Sequence, residues 1–118
     1  MEITELYKKV YVSCVHFAVY QKKEIIHNVE NFMPLLNNFV KFFFKKNVYG
    51  LDEEDYQLLQ QLLLQILQDM MQALENRDIV LLEDTVEYGL KTFLELFFSD
   101  EQELQELREV AINECENL

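Results

Sequence analysis

Between Asp52 and Glu75 the apolar residues recur in steps of three and four, a spacing that only a helix gathers on one side. Leu59, Leu62, Leu63, Ile66, Leu67, Met70 and Leu74 form the stripe. Leu58, Leu64 and Met71 widen it to an arc of roughly 240°, at about 100° per residue. That is more than a helix needs to rest one face on a core. Either this helix stands at the centre of the fold, or a partner covers its flank.

The rest of its circumference carries Gln57, Gln61, Gln65, Gln68 and Gln72. In a chain of net charge −12, a polar helix face without charge is unusual. It reads as solvated residues of good helix propensity, or as a contact strip whose amides bond to another protein without burying charge.

Two glycines and one proline in 118 residues leave too few turns for a sheet protein, and a half-hydrophobic chain is not a disordered acidic one. The length suits one domain, residues 1–118. Asp52 to Asp55 gives the helix an Asp cap and carboxylates near the positive end of its dipole. After Asn76-Arg77-Asp78, Asp78 caps a further helix with the stripe Ile79, Leu82, Val86, Leu90, Phe93 and Phe97. Gly89 falls on that stripe, which suggests a neighbour needing the space. Ser99 and Gln102 read as a capping box for a short acidic helix with Leu104, Leu107 and Ala111 on its apolar side.

In the first half, Leu6, Val10, Cys14 and Phe17 form one stripe and Ile25, Val29, Phe32, Leu36, Phe39 and Phe43 another. Their phases differ by about 100° if the helix is continuous, so a break is expected near Gln21–Glu24. A single helix from Ile3 to Lys46, favouring a swapped dimer, is the alternative. Pro34 falls opposite the second stripe, on the solvent side. The expected fold is all-α: an antiparallel four-helix bundle (3–22, 24–46, 52–75, 79–98) with a short C-terminal fifth helix (100–116). Its core should hold Leu6, Val10, Phe17, Val29, Phe32, Leu36, Phe39, Leu59, Leu63, Ile66, Met70, Leu82, Val86 and Phe93.

Charge divides the chain. Residues 1–50 carry seven Lys against four Asp/Glu, and residues 51–118 carry three Lys/Arg against eighteen Asp/Glu. Met1 to Glu5 is acidic, unlike a secretory signal, and Val10–Tyr20 is about half a membrane span. A cytoplasmic protein without direct contact to membrane or nucleic acid is expected. Cys14 and Cys115 read as reduced thiols.

Chemistry is sparse. Glu24 and His27 have the Glu-x-x-His spacing of di-iron bundles, but no second copy exists. Asp69 and Glu83 lie at the margins of apolar faces, where carboxylates serve acid/base work or bond a helix N-terminus or a hydroxyl of Tyr7, Tyr11 or Tyr20. No Gly-rich phosphate loop or nucleophile arrangement is present in the sequence. No catalytic, cofactor-binding or metal-binding residue is therefore assigned. Phe42, Phe43 and Phe44 span about 200° of helix, so with Phe43 inside, Phe42 and Phe44 are either flank residues or aromatic anchors for a partner.

The segment Ala73 to Leu90, with Ala73-Leu74-Glu75, Asp78, Val80-Leu81-Leu82, Asp84, Glu87-Tyr88 and Leu90, follows the pattern A-L-E-x-x-D-x-V-L-L-x-D-x-x-E-Y-x-L. It resembles a segment of small uncharacterised helical proteins of Gram-positive bacteria. The resemblance implies a helical hairpin here and a bacterial cytosolic setting, and it transfers no activity.

The function expected is that of a non-enzymatic interaction module: an adaptor, assembly factor or small chaperone. It would bind a protein partner, or a second copy as a homodimer, through Phe42, Phe44, Gln57, Gln61, Gln65, Gln68 and Gln72. The alternative is an acidic inhibitor or decoy of a nucleic-acid-binding protein. It would offer Glu53, Glu54, Asp84, Glu87, Glu95, Asp100, Glu101, Glu103, Glu106 and Glu109 in place of phosphates. A carboxylate or metal enzyme is a third class.

Overall fold

The computed structural model describes residues 3–18, 25–98 and 100–116, and among these the side chains of all but residues 17, 18, 115 and 116. The described residues are all-helical, with no strand among them. The elements are α1 (Ile3–Ala18), α2 (Ile25–Lys45), α3 (Glu53–Asn76), α4 (Ile79–Asp84), a π-helical segment (Thr85–Lys91), α5 (Thr92–Glu95) and α6 (Glu101–Glu116). The α4, π and α5 pieces run on without a break and form one rod.

Each boundary has a local cause. α1 and α2 pack side by side, which excludes the single helix from Ile3 to Lys46. The expected break, and the predicted ends at residues 22 and 24, lie outside the described residues. Pro34 sits exposed inside α2, so the carbonyl it deprives of a donor faces water. Beyond α2, Asn47 clasps the connection: its Nδ2 donates to the Leu51 carbonyl at 2.6 Å, and Leu51 N donates to its Oδ1 at 3.0 Å. The Tyr56 hydroxyl donates to the Phe43 carbonyl, satisfying an orphan acceptor in the last turn of α2.

Asp52 stands at the N-cap of α3, but its side chain makes no capping bond. The first turn already carries Glu53, Glu54 and Asp55, and in the open its free N–H groups are served by water. α3 closes with Arg77 in the left-handed conformation, φ 50°. Asp78 N reaches the Ala73 carbonyl at 2.9 Å and Arg77 N the Leu74 carbonyl at 3.3 Å, the pairing of a Schellman motif. Asp78 then caps α4 as expected, accepting from Leu81 N at 3.0 Å.

The fourth rod departs from the expected plain helix over 79–98. Its last helical residue is Glu95, and Leu96, Phe97 and Phe98 tighten into i→i−3 turns. In α phase Leu94 would project about 120° from Leu82, yet both are fully buried. A wider π turn advances less per residue, and across Thr85–Lys91 it brings Leu94 back to the core. α6 begins with Asp100 as its cap, accepting from Gln102 N at 2.9 Å. Ser99, on which the expected capping box depends, lies outside the described residues, and the Gln102 side-chain amide donates to Glu106.

The core matches the two-stripe pattern closely. Leu6, Val10, Val29, Phe32, Leu36, Phe39, Leu63, Ile66, Met70, Leu82, Val86 and Phe93 are buried; Leu59 packs against them half-buried; Phe17 lies outside the described side chains. Phe43 is the hub at one end, with the rings of Phe39, Tyr56, Phe93 and Phe97 5.4–5.9 Å away. Edge-to-face and stacked pairs of this kind add to what burial alone contributes.

The central helix is α1, not α3. α1 touches α2, the π segment, α5 and α6, whereas α3 packs on α4 and the π segment, and more thinly on α2. The molecule measures 41 × 36 × 20 Å, two helix layers thick. α3 therefore has a core face and, among the described residues, an outer face left largely exposed.

Candidate protein-interaction surface

The outer face of α3 combines apolar and amide side chains. Leu58 is 61% exposed, Leu62 46%, Leu64 47% and Met71 51%. Gln57, Gln61, Gln65, Gln68 and Gln72 are all exposed. In projection the glutamines hold the middle, with Leu58 and Leu62 on one side and Leu64 and Met71 on the other. The 240° arc is thus split: the Tyr56, Leu63, Ile66, Met70 and Ala73 part is buried, and its two margins stay open. Gln57 Nε2 donates to Glu53 at 3.1 Å and Gln65 Nε2 to Asp69 at 3.0 Å, both one turn away. Asp69 is the only charged residue between Tyr56 and Leu74, and this bond accounts for it.

The aromatic anchors divide. Phe44 is half-buried against the core, edge-on to Phe43 at 6.0 Å. Phe42 is half-buried without joining that cluster. Neither is brought onto the α3 strip by any ring contact among the described residues.

A second constellation, which the sequence reading did not find, fastens α6. The Tyr7 hydroxyl, on a side chain with no exposure, donates to Glu95 Oε2 at 2.6 Å and accepts from Arg108 Nε at 3.0 Å. Arg108 Nη2 completes the triangle to the same Glu95 oxygen at 2.7 Å. Tyr11 lies beneath two cations, Lys91 and Arg108, each 5.8 Å from its ring centre. Burial, reinforced by the bond to Glu95, raises the Tyr7 hydroxyl well above its usual range. Burial alone would raise Glu95 too, but the bonds from Tyr7 and Arg108 outweigh it and hold its carboxyl below the ordinary value. The hydroxyl, the guanidinium and one Glu95 oxygen are thus bonded to one another, a clasp that ties α1, α5 and α6 together. The signal was present: Arg108 is the only Lys or Arg from Asp100 to Leu118.

The other titratable candidates resolve as follows. Asp69 and Glu83 do not bond a Tyr hydroxyl in the described contacts; that place is taken by Glu95. Glu83 is pushed up to about 7 by burial and by its hydrogen bond to Glu87, one turn on. Burial raises the Cys14 thiol to about 12, which keeps it protonated and unreactive. His27 is exposed, and Glu24 and Cys115 fall outside the described side chains. Among the described residues no three His, Cys, Asp or Glu side chains gather as cation donors. A cleft of about 260 Å³ between α1, α2 and α6 is lined by Lys8, Ser13, Asn28 and Asn31, but Lys8 is engaged by Glu5 and Glu114 at 3.0 and 3.2 Å. Of the ten carboxylates proposed as phosphate mimics, Glu95 is turned into the Tyr7–Arg108 clasp. No helix among the described residues is long and apolar enough to cross a membrane.

No protein-family profile, curated protein or solved structure matches the chain.

Proposed function

We propose that this protein is a non-enzymatic interaction module, an adaptor, assembly factor or small chaperone, that binds a protein through the outer face of α3. The observation that carries the reading is the peripheral position of α3. Its apolar arc is too wide for the core beneath it, and the surplus stays open as Leu58, Leu62, Leu64 and Met71 around a line of uncharged amides. Scattered exposed leucines are ordinary on any surface; four on one helix face flanking five glutamines form a patch. Phe42 is a secondary anchor in this reading, and Phe44 belongs to the core. In the same proposal the four rods form an antiparallel four-helix bundle, α6 is its fifth helix, and the setting is the bacterial cytoplasm. The acidic-decoy reading has exposed carboxylates at α6, of which Glu101 lies 3.7 Å from Arg108 and Glu106 accepts from Gln102, but no observation gathers them into one phosphate-like line.

Site-resolved photocrosslinking tests the proposal. A benzophenone side chain placed at Gln61 or Gln65 in the native cell should give discrete protein adducts, and one placed at Glu106 on α6 should not. Adducts confined to Glu106 would replace this reading with the acidic one.

A further inference from the structure

We infer that the occupant of the α3 strip is a second copy of this chain, laid antiparallel along α3 about a twofold axis between Leu64 and Gln65. The inference rests on the strip being an interaction surface, and three observations single out a copy of the chain.

The first is charge. Each copy carries −12, so most ways of bringing two together set acid against acid. Between Tyr56 and Leu74 the one charged residue is Asp69, half-buried and bonded to Gln65. This face lets two such chains meet without opposed charges at the centre.

The second is the chemistry of the amide. A glutamine offers both donors and an acceptor, so one glutamine satisfies another. Two carboxylates or two ammonium groups repel. A twofold contact sets a surface against itself, and Gln is one of the few polar side chains that complements its own kind.

The third is order along the helix. About the midpoint between Leu64 and Gln65, Gln57 mirrors Gln72, Leu58 mirrors Met71 and Gln61 mirrors Gln68. In an antiparallel pair each of these lies level with its mate on the other copy. Gln61 and Gln68 are within about 20° of one another at the middle of the outer face, so they meet on the midline. Leu58 and Leu62 close over one side of that seam, and Leu64 and Met71 over the other. At the ends Glu54 lies level with Glu75, and this residual repulsion makes the contact sensitive to salt.

Sedimentation equilibrium of the full chain is the test. We expect a monomer–dimer equilibrium that tightens by roughly tenfold or more from low to high salt, as screening removes the like-charge repulsion. A contact with a basic partner would show the opposite trend. The register is checked with two doubly substituted chains, Gln61→Glu with Gln68→Glu, and Gln61→Lys with Gln68→Lys. Each alone should be monomeric with an unchanged helical spectrum, and an equimolar mixture should form a mixed dimer. A monomer at every salt concentration, or a dimer indifferent to both double substitutions, overturns the inference. Photocrosslinking from Gln61 separates the two levels of the argument. Adducts only to other proteins overturn the second copy and leave the strip as a surface; no adduct from the strip overturns both.

Discussion

Replacing Gly89 by alanine loads the seam between α3 and the fourth rod. The added Cβ would meet Ile66 Cγ1 at 3.3 Å, with Cδ1 and Cγ2 at 3.8 Å. Ile66 is 5% exposed and β-branched, so its χ1 is stiff and Cγ1 has little freedom to swing aside. Two effects then oppose one another. Alanine in a helix gains about 0.5–1 kcal/mol over glycine, while forcing a methyl into a packed site costs about 1–3 kcal/mol. The gap is short by only tenths of an ångström, which puts the cost near the lower half of that range. The net expectation is a loss of about 0.5–1 kcal/mol. The sign can be isolated with a double-mutant cycle. Ile66→Ala alone should cost about 2–5 kcal/mol as a buried truncation, but it removes the atom that obstructs the new methyl. In that background Gly89→Ala should stabilise by about 0.5–1 kcal/mol, a reversal that measures the coupling between the two positions. Urea unfolding followed by far-ultraviolet circular dichroism, with a constant m-value, reads all four corners. If Gly89→Ala stabilises equally in both backgrounds, the close approach of Ile66 does no work and the packing argument is wrong.

Further outcomes follow from the clasps and caps. Arg108→Met should cost about 1–3 kcal/mol by leaving the Tyr7–Glu95 pair without its cation, and hydrogen exchange should show the loss concentrated in α6. Glu95 is held below its ordinary value by Tyr7 and Arg108, so its contribution is present above the unfolded carboxylate value and is lost as pH falls through the folded one. Acid should therefore loosen α6 in the parent chain and have a smaller effect on it in Arg108→Met. Glu83 behaves with the opposite sign: its value is raised to about 7, so the folded state favours the proton, and its penalty grows as pH rises from the unfolded value through about 7. Glu83→Gln should raise the thermal midpoint at pH 8 by the equivalent of about 1 kcal/mol, after allowance for solvent screening, and leave it little changed at pH 4. Arg77→Gly should stabilise by about 0.5–1 kcal/mol in a denaturation curve, because glycine adopts the left-handed cap at φ 50° without the Cβ penalty.

Much of this fold is legible in the sequence wherever one helix's own periodicity decides the matter. The stripe of α2 gives its buried residues position by position. That of α3 gives Leu63, Ile66 and Met70 but includes the exposed Leu62 and misses Tyr56 and Ala73. Asp78 caps α4 by accepting from Leu81 N. What is not legible depends on a second element. The π turn over Thr85–Lys91 arises because Leu82 and Leu94 must both reach one core, and local spacing alone gives the wrong phase. Tyr7 and Glu95 are 88 positions apart, and nothing in either neighbourhood pairs them. The strip is intermediate. Its glutamines and surplus leucines can be read from the chain, but that they face outward follows only from the place of α1, rather than α3, at the centre.

The clasp joining α1 to α6 has a consequence for how the chain is made. α1 leaves the ribosome before α5 and α6, yet the Tyr7 hydroxyl finds its acceptor and donor only after Glu95 and Arg108 have been synthesised. The central element thus waits for partners 88 and 101 positions further along the chain, and contacts that distant slow folding. Until then a nascent chain displays the Leu6, Tyr7 and Val10 face to whatever is nearby, the condition in which chaperones are recruited. Removing α6 should thus harm the yield of folded protein more than its size suggests, since it is the piece that lets the first helix finish.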